Sequence, residues 1–101
     1  MKIDIKTKNL ELTDEIDSYA REKIGHLAHF NKQIMETVVR LFSGKEHTSD
    51  TKFRAEVTMH LPKTMIVAEA KAKEIYVAID IVSEKLERQI EKYKDKMIDQ
   101  R

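Results

Sequence analysis

Residues 53–70 read FRAEVTMHLPKTMIVAEA, and the period of this stretch decides the fold. Phe53, Ala55, Val57, Met59 and Leu61 alternate with Arg54, Glu56, Thr58 and His60, so one face is apolar and the other polar, as in a half-buried strand. Leu61-Pro62-Lys63 marks a turn, because proline cannot continue a central ladder. Ile66, Ala68 and Ala70 then resume the alternation on the inward face of a following strand. Strands joined by so short a turn pair antiparallel.

Upstream, Met35, Thr37, Val39 and Leu41 make one face of an earlier strand, and SGKEHTSDT (43–51) is a polar loop leading into residue 53. Three strands linked by short turns predict an antiparallel meander. Residues 2–6 also alternate, with Ile3 and Ile5 on one face. Thr13 is placed to cap a helix, with Asp14 and Glu15 in the first turn where the helix dipole favours anions. Ile16, Tyr19, Ala20, Ile24 and Leu27 recur at helical spacing to about residue 29. A longer helix follows from about Glu74, with Ile75, Ile79, Val82, Leu86, Ile90, Tyr93 and Met97 on one face. The order β-α-β-β-β-α predicts an α+β fold, a single domain over 1–101 with a four-stranded sheet and both helices packed on one face. A ferredoxin-like order fails because nothing strand-like follows the second helix.

Composition excludes several classes of function. The chain has 101 residues, 37% of them charged, and no cysteine, so disulfides, thiolate metal sites and cysteine catalysis are ruled out. The first residues show no signal peptide and no apolar run approaches the roughly 20 residues of a membrane span, so a cytoplasmic protein with no membrane partner is expected. Gly25 and Gly44 are the 2 glycines, too few for a phosphate-cradling loop, and no G-x-S-x-G elbow exists. His26 and His29 sit at i,i+3, but no third ligand completes a metal site at a recognisable spacing. The carboxylates read as solvated faces. No metal, cofactor, catalytic residue or small-molecule substrate is expected, and the protein is not expected to be an enzyme.

What remains is charge placement. In the second helix Lys85, Arg88, Lys92 and Lys96 form one basic lane, and Glu84, Glu87, Glu91 and Asp95 form an acidic lane beyond it. Most i,i+4 neighbours there are alike, which forgoes the few tenths of a kcal/mol that opposite charges give at that spacing. A solubilising face with coincidental spacing is one reading; a ridge that tracks the phosphates of a polyanion is the other. The net charge is +1, so any such binding must come from an arranged patch. Lys23 falls inside the apolar arc of the first helix. Either its stem covers the core while its amine reaches water, or it emerges at the helix seam near the basic lane. Arg21 reads as plain surface, and Lys94 points away from Arg88. The outer sheet face lacks an aromatic platform, so binding is expected to read shape and backbone more than bases.

Several stretches resemble one family over essentially the whole chain: ELTD (11–14), KIGHL (23–27), IYVAID (75–80), KLERQI (85–90) and KYKDK (92–96). These are similar to the bacterial ribosome hibernation-promoting factors and the ribosome-associated inhibitor, protein Y. The resemblance implies a fold like a double-stranded-RNA-binding domain. It also implies binding to the small ribosomal subunit, its 16S rRNA and proteins, in the channel for messenger and transfer RNA. Translation would then be blocked by occupancy in stationary phase or stress. It assigns rRNA binding to Lys85, Arg88 and Lys92, with Lys96, and to Lys23 and His26 on the first helix. Family members usually carry lysine at the positions of His26 and His29. Histidine is mostly neutral at pH 7, so that half of the patch is expected to be weaker, or to strengthen as pH falls. The chain's length favours the short form, which supports ribosome dimers with a separate dimerising partner. Two other readings of the charged helix stay open: a protein-interaction module, and a generic binder of structured RNA.

Overall fold

The alternation of residues 53–70 is realised as a tight hairpin in the computed structural model, which describes residues 1–29, 31–44 and 52–99, with helix side chains described to Asp95. The elements are β1 (Lys2–Lys8), α1 (Asp14–His26, continued by a 3₁₀ turn at Leu27–His29), β2 (Glu36–Ser43), β3 (Phe53–Leu61), β4 (Thr64–Ala72) and α2 (Ile75–Asp99). The expected β-α-β-β-β-α order therefore holds. The β3–β4 turn keeps Leu61 opposite Thr64. Proline 62 presets its first corner, and Lys63 takes a left-handed φ of 65° at the second.

The strands lie in the order β1-β2-β3-β4. β2, β3 and β4 form the antiparallel meander, whereas β1 runs parallel to β2, with Ile3 beside Thr37 and Ile5 beside Val39. A parallel pair needs a crossover, and α1 supplies it. Thr13 caps α1 as its sequence position predicts, its Oγ1 accepting from the Ile16 amide at 3.2 Å.

Both helices cover one face of the sheet. Thr37, Val39 and Leu41 of β2, Ala55, Val57, Met59 and Leu61 of β3, and Ile66, Ala68, Ala70 and Ala72 of β4 are buried there. They meet Ile16, Ala20 and Ile24 of α1 and Ile75, Ala78, Ile79, Val82, Leu86 and Ile90 of α2. Alanines down β4 let α2 approach closely. Among the described residues, the two polar side chains buried with this core are satisfied: Ser83 donates to the Ile79 carbonyl at 2.8 Å, and Thr37 donates to Met1 Sδ at 3.0 Å. Met35 departs from expectation. It lies one residue before β2, past the end of the covered face, and is 53% exposed while Ile34 is buried beside it. Met97, expected on the apolar face of α2, has its side chain outside the described residues.

Candidate nucleic-acid interface

Because one stripe of α2 is buried on β3 and β4, its remaining surface is divided into two flanks. The flank toward the sheet edge carries Lys85, Gln89 and Lys92. Lys85 Nζ donates to the Glu69 carbonyl at 2.8 Å, and Gln89 Nε2 donates to the Val67 carbonyl at 2.9 Å. Lys92 stands over the other end of β4, lining a groove with Thr64, Met65, Ile66, Gln89 and Tyr93. Arg88 is exposed, three residues after Lys85 and four before Lys92, so it shares their ridge. An ammonium has three hydrogens, so Lys85 can serve the strand edge and still donate to an anion. Lys96 lies within α2, but its side chain is outside the described residues.

The opposite flank of α2 faces α1 across a groove of about 450 Å³. Asp80, Ser83, Glu84 and Glu87 form its α2 wall; Tyr19, Glu22, Lys23, His26 and Leu27 form the other. Lys23 does emerge at the seam, its side chain 47% exposed. The basic lane is not there. Lys23 Nζ instead pairs with Asp80 Oδ1 at 3.6 Å and lies 5.7 Å from the Tyr19 ring centre. The Tyr19 hydroxyl donates to the same oxygen at 2.5 Å, and its ring meets Tyr76 edge-on at 5.0 Å. The hydrogen bond to Asp80, with burial and the nearby negative charges of Asp80 and Glu22, pushes the Tyr19 pKa up to about 12. His26 lines the groove, and its ring lies 5.3 Å from that of His29.

The structure thus brings Lys85, Arg88 and Lys92 together and sets Lys23 and His26 on the far side of α2. The sequence placed the acidic lane correctly beside the basic one, but not toward α1. Helical period alone gives the order of lanes around α2; which lane meets α1 depends on where β4 ends and how α1 crosses. Two further roles escaped the sequence. Arg21, read as plain surface, is held by Asp17 at 3.0 Å and reaches the Ile3 carbonyl on the free edge of β1 at 3.1 Å. Lys8, Lys52, Arg54 and Lys71 converge on a hollow of about 370 Å³ at the end of the uncovered sheet face. They come from β1, β4 and the start of β3, so only the strand register could have revealed them.

Comparison with known proteins adds what geometry cannot. Residues 3–98 match the family model described as "Sigma 54 modulation protein / S30EA ribosomal protein". A ribosome hibernation promoting factor from Azotobacter vinelandii is 34% identical, the alignment covering 98% of this chain and 88% of that one. A ribosome hibernation promotion factor from Lactococcus lactis subsp. cremoris is 35% identical over 96% of this chain, but the chain spans only 51% of that protein. A ribosomal subunit interface protein from Coxiella burnetii shares the fold with a TM-score of 0.84 at 21% identity, covering 94% of this chain and 99% of that one. The N-terminal domain of Thermus thermophilus Protein Y aligns with a TM-score of 0.79 at 27% identity, over 92% of this chain and 99% of that domain. The chain belongs to the sigma 54 modulation protein / S30EA ribosomal protein family, that of the hibernation-promoting factors and protein Y.

Proposed function

We propose that this chain is a ribosome hibernation factor. It binds the small ribosomal subunit in the channel for messenger and transfer RNA, contacting 16S rRNA and neighbouring ribosomal proteins. It inhibits translation by occupancy, without chemistry, in stationary phase or stress. The observation that carries this reading is the ridge of Lys85, Arg88 and Lys92, gathered on one flank of α2 with the acidic residues kept on the other. The relatives' printed names supply the ribosome as partner. Cations on a rigid helix suit phosphate, and each contact releases counterions on binding. Lys96 is a further rRNA-binding residue by its sequence position, whereas Lys23 and His26 make a separate, weaker contact because Asp80 already holds Lys23. The protein acts in the cytoplasm, with a separate partner supplying ribosome dimerisation.

Co-sedimentation with purified small subunits and inhibition of translation in vitro test this. Lys85→Glu with Arg88→Glu should reduce subunit binding by more than about tenfold and abolish inhibition, since two contacts become repulsions. Lys23→Gln should cost no more than about threefold, because it removes a cation already paired. Normal inhibition by the double variant, with its fold intact by circular dichroism, would sink the assignment. A self-associating protein that ignores subunits would instead favour an interaction module.

A further inference from the structure

The basic ridge of α2 does not stop at Lys85. Lys85 ends on the Glu69 carbonyl, at the free edge of β4, and Lys71 lies two residues further along the same strand, about 7 Å away. Lys71 opens a row that crosses the uncovered sheet face. Its register partner is Arg54, that of Arg54 is Phe42, and that of Phe42 is Lys8. Lys52 joins the row from just before β3, where its carbonyl accepts from the Gly44 amide at 2.7 Å. Lys8, Lys52, Arg54 and Lys71 line the hollow at this end, and no carboxylate does so among the described residues.

Arg54 is fixed in place. Its guanidinium lies 4.1 Å from the Phe42 ring centre and is held by Glu69 at 3.3 Å and Glu56 at 3.8 Å. Those carboxylates come from the neighbouring row, so they orient Arg54 without entering the hollow. Lys52 lies 5.5 Å from the Phe53 ring centre, while Lys8 and Lys71 are exposed.

We propose that Lys8, Lys52, Arg54 and Lys71 continue the ridge of α2 as one path for the backbone of single-stranded RNA, bent around the edge of β4. From Lys92 to Lys85 the path runs about 10 Å along the helix, and the row adds about 14 Å across the sheet. A spread of that length exceeds a single phosphate ion and suits successive phosphodiesters. The turn around a strand edge suits a flexible strand; a stiff duplex would touch one side only. Arg54 covers Phe42, so the row offers charge and a guanidinium plane with no open ring for base stacking, and recognition is of the backbone. The path rests on the RNA-binding reading above but is tested apart from it.

The test is fluorescence anisotropy of a labelled twelve-nucleotide oligouridylate across a salt series. The variants are Lys8→Gln/Lys52→Gln/Lys71→Gln and, on the helix, Lys92→Gln; Lys94→Gln is the control. The triple variant should lower the slope of log K against log salt by about 2, three contacts at roughly 0.7 each. It should weaken binding at least about tenfold while the melting temperature holds. Lys92→Gln should also weaken binding and Lys94→Gln should not. Unchanged affinity and slope in the triple variant overturn the path, even for a protein that sediments with small subunits. The expected slope loss sustains it, even for one that does not. Displacement of the labelled RNA by ATP or inorganic phosphate at equal concentration, as well as by unlabelled oligouridylate, also overturns it, since the hollow would then be a site for free phosphates.

Discussion

Asp80 carries two neighbours on one oxygen. The Tyr19 hydroxyl and the Lys23 amine both reach Oδ1, which ties α1 to α2 at the mouth of their groove. The proton on Tyr19 is therefore held by the hydrogen bond to Asp80 first, and by partial burial and the adjoining negative charge second. Its folded pKa, about 12, lies above the ordinary phenol value of 10.0. A raised pKa means that the bond's contribution is complete below pH 10 and is lost as pH climbs through 12. Difference absorbance titration of wild type against Tyr19→Phe should show one phenol ionising near 12. Asp80→Asn should bring that ionisation back toward the ordinary value of 10.0. A Tyr19 that ionises at 10.0 in the wild type would contradict the geometry. The same pairing explains why Lys23 looked ambiguous in sequence. Its position in the apolar arc was legible, but its partner lies far along the chain, on another element.

Each edge of the sheet is closed by a helix side chain. On β1, Arg21 donates to the Ile3 carbonyl; on β4, Lys85 and Gln89 donate to those of Glu69 and Val67. An open edge is a template for another strand, and these contacts occupy its acceptors. Arg21→Ala with Gln89→Ala should cost about 1 kcal/mol per lost bond and produce self-association that grows with concentration in light scattering. A double variant that loses stability yet stays monodisperse would show that the caps hold the helices without guarding the edges. None of this was legible beforehand. Alternation marked β3 and β4 because each presents an apolar face to the helices. A capping contact leaves no period in the sequence, since it depends on the distance between a helix flank and a strand edge. Met35 failed for a related reason: it lies before β2 begins, where the alternation no longer holds, and Ile34 takes the buried place instead.

At the scale of the molecule, a net charge of +1 conceals a polar distribution. The inter-helix groove is walled on α2 by Asp80, Glu84 and Glu87, whereas the ridge beside β4 and the end of the open sheet gather lysine and arginine. Such a distribution draws anions to one side and repels them from the other, so a polyanion would meet the molecule in a preferred orientation. The fold, the element order and the helix-two ridge could be read from periodicity, because both strand and helix periods are kept cleanly. The direction in which each lane faces could not. It is fixed by α1 crossing on one side of α2 and β4 ending the sheet on the other.

The parallel pairing of β1 with β2 sets an order of assembly. β2, β3 and β4 are neighbours along the chain, so their pairing closes short loops, while β1 joins only after α1 has carried the chain back across the sheet. The meander and α2 can enclose most of the buried core before β1 arrives, and β1 contributes mainly the half-buried Ile3 and Ile5. An edge strand held through half-buried residues is expected to be released first. Lys2 donates to Met35, and alternation turns the amides of Asp4 and Lys6 the same way, toward β2. In native-state hydrogen exchange these amides should lose protection at least about tenfold faster than those of Val57 and Met59 in the central strand. Equal protection would mean that the sheet opens as one unit. Because β1 also carries Lys8, its release would detach one end of the basic row while leaving α2 and its ridge in place.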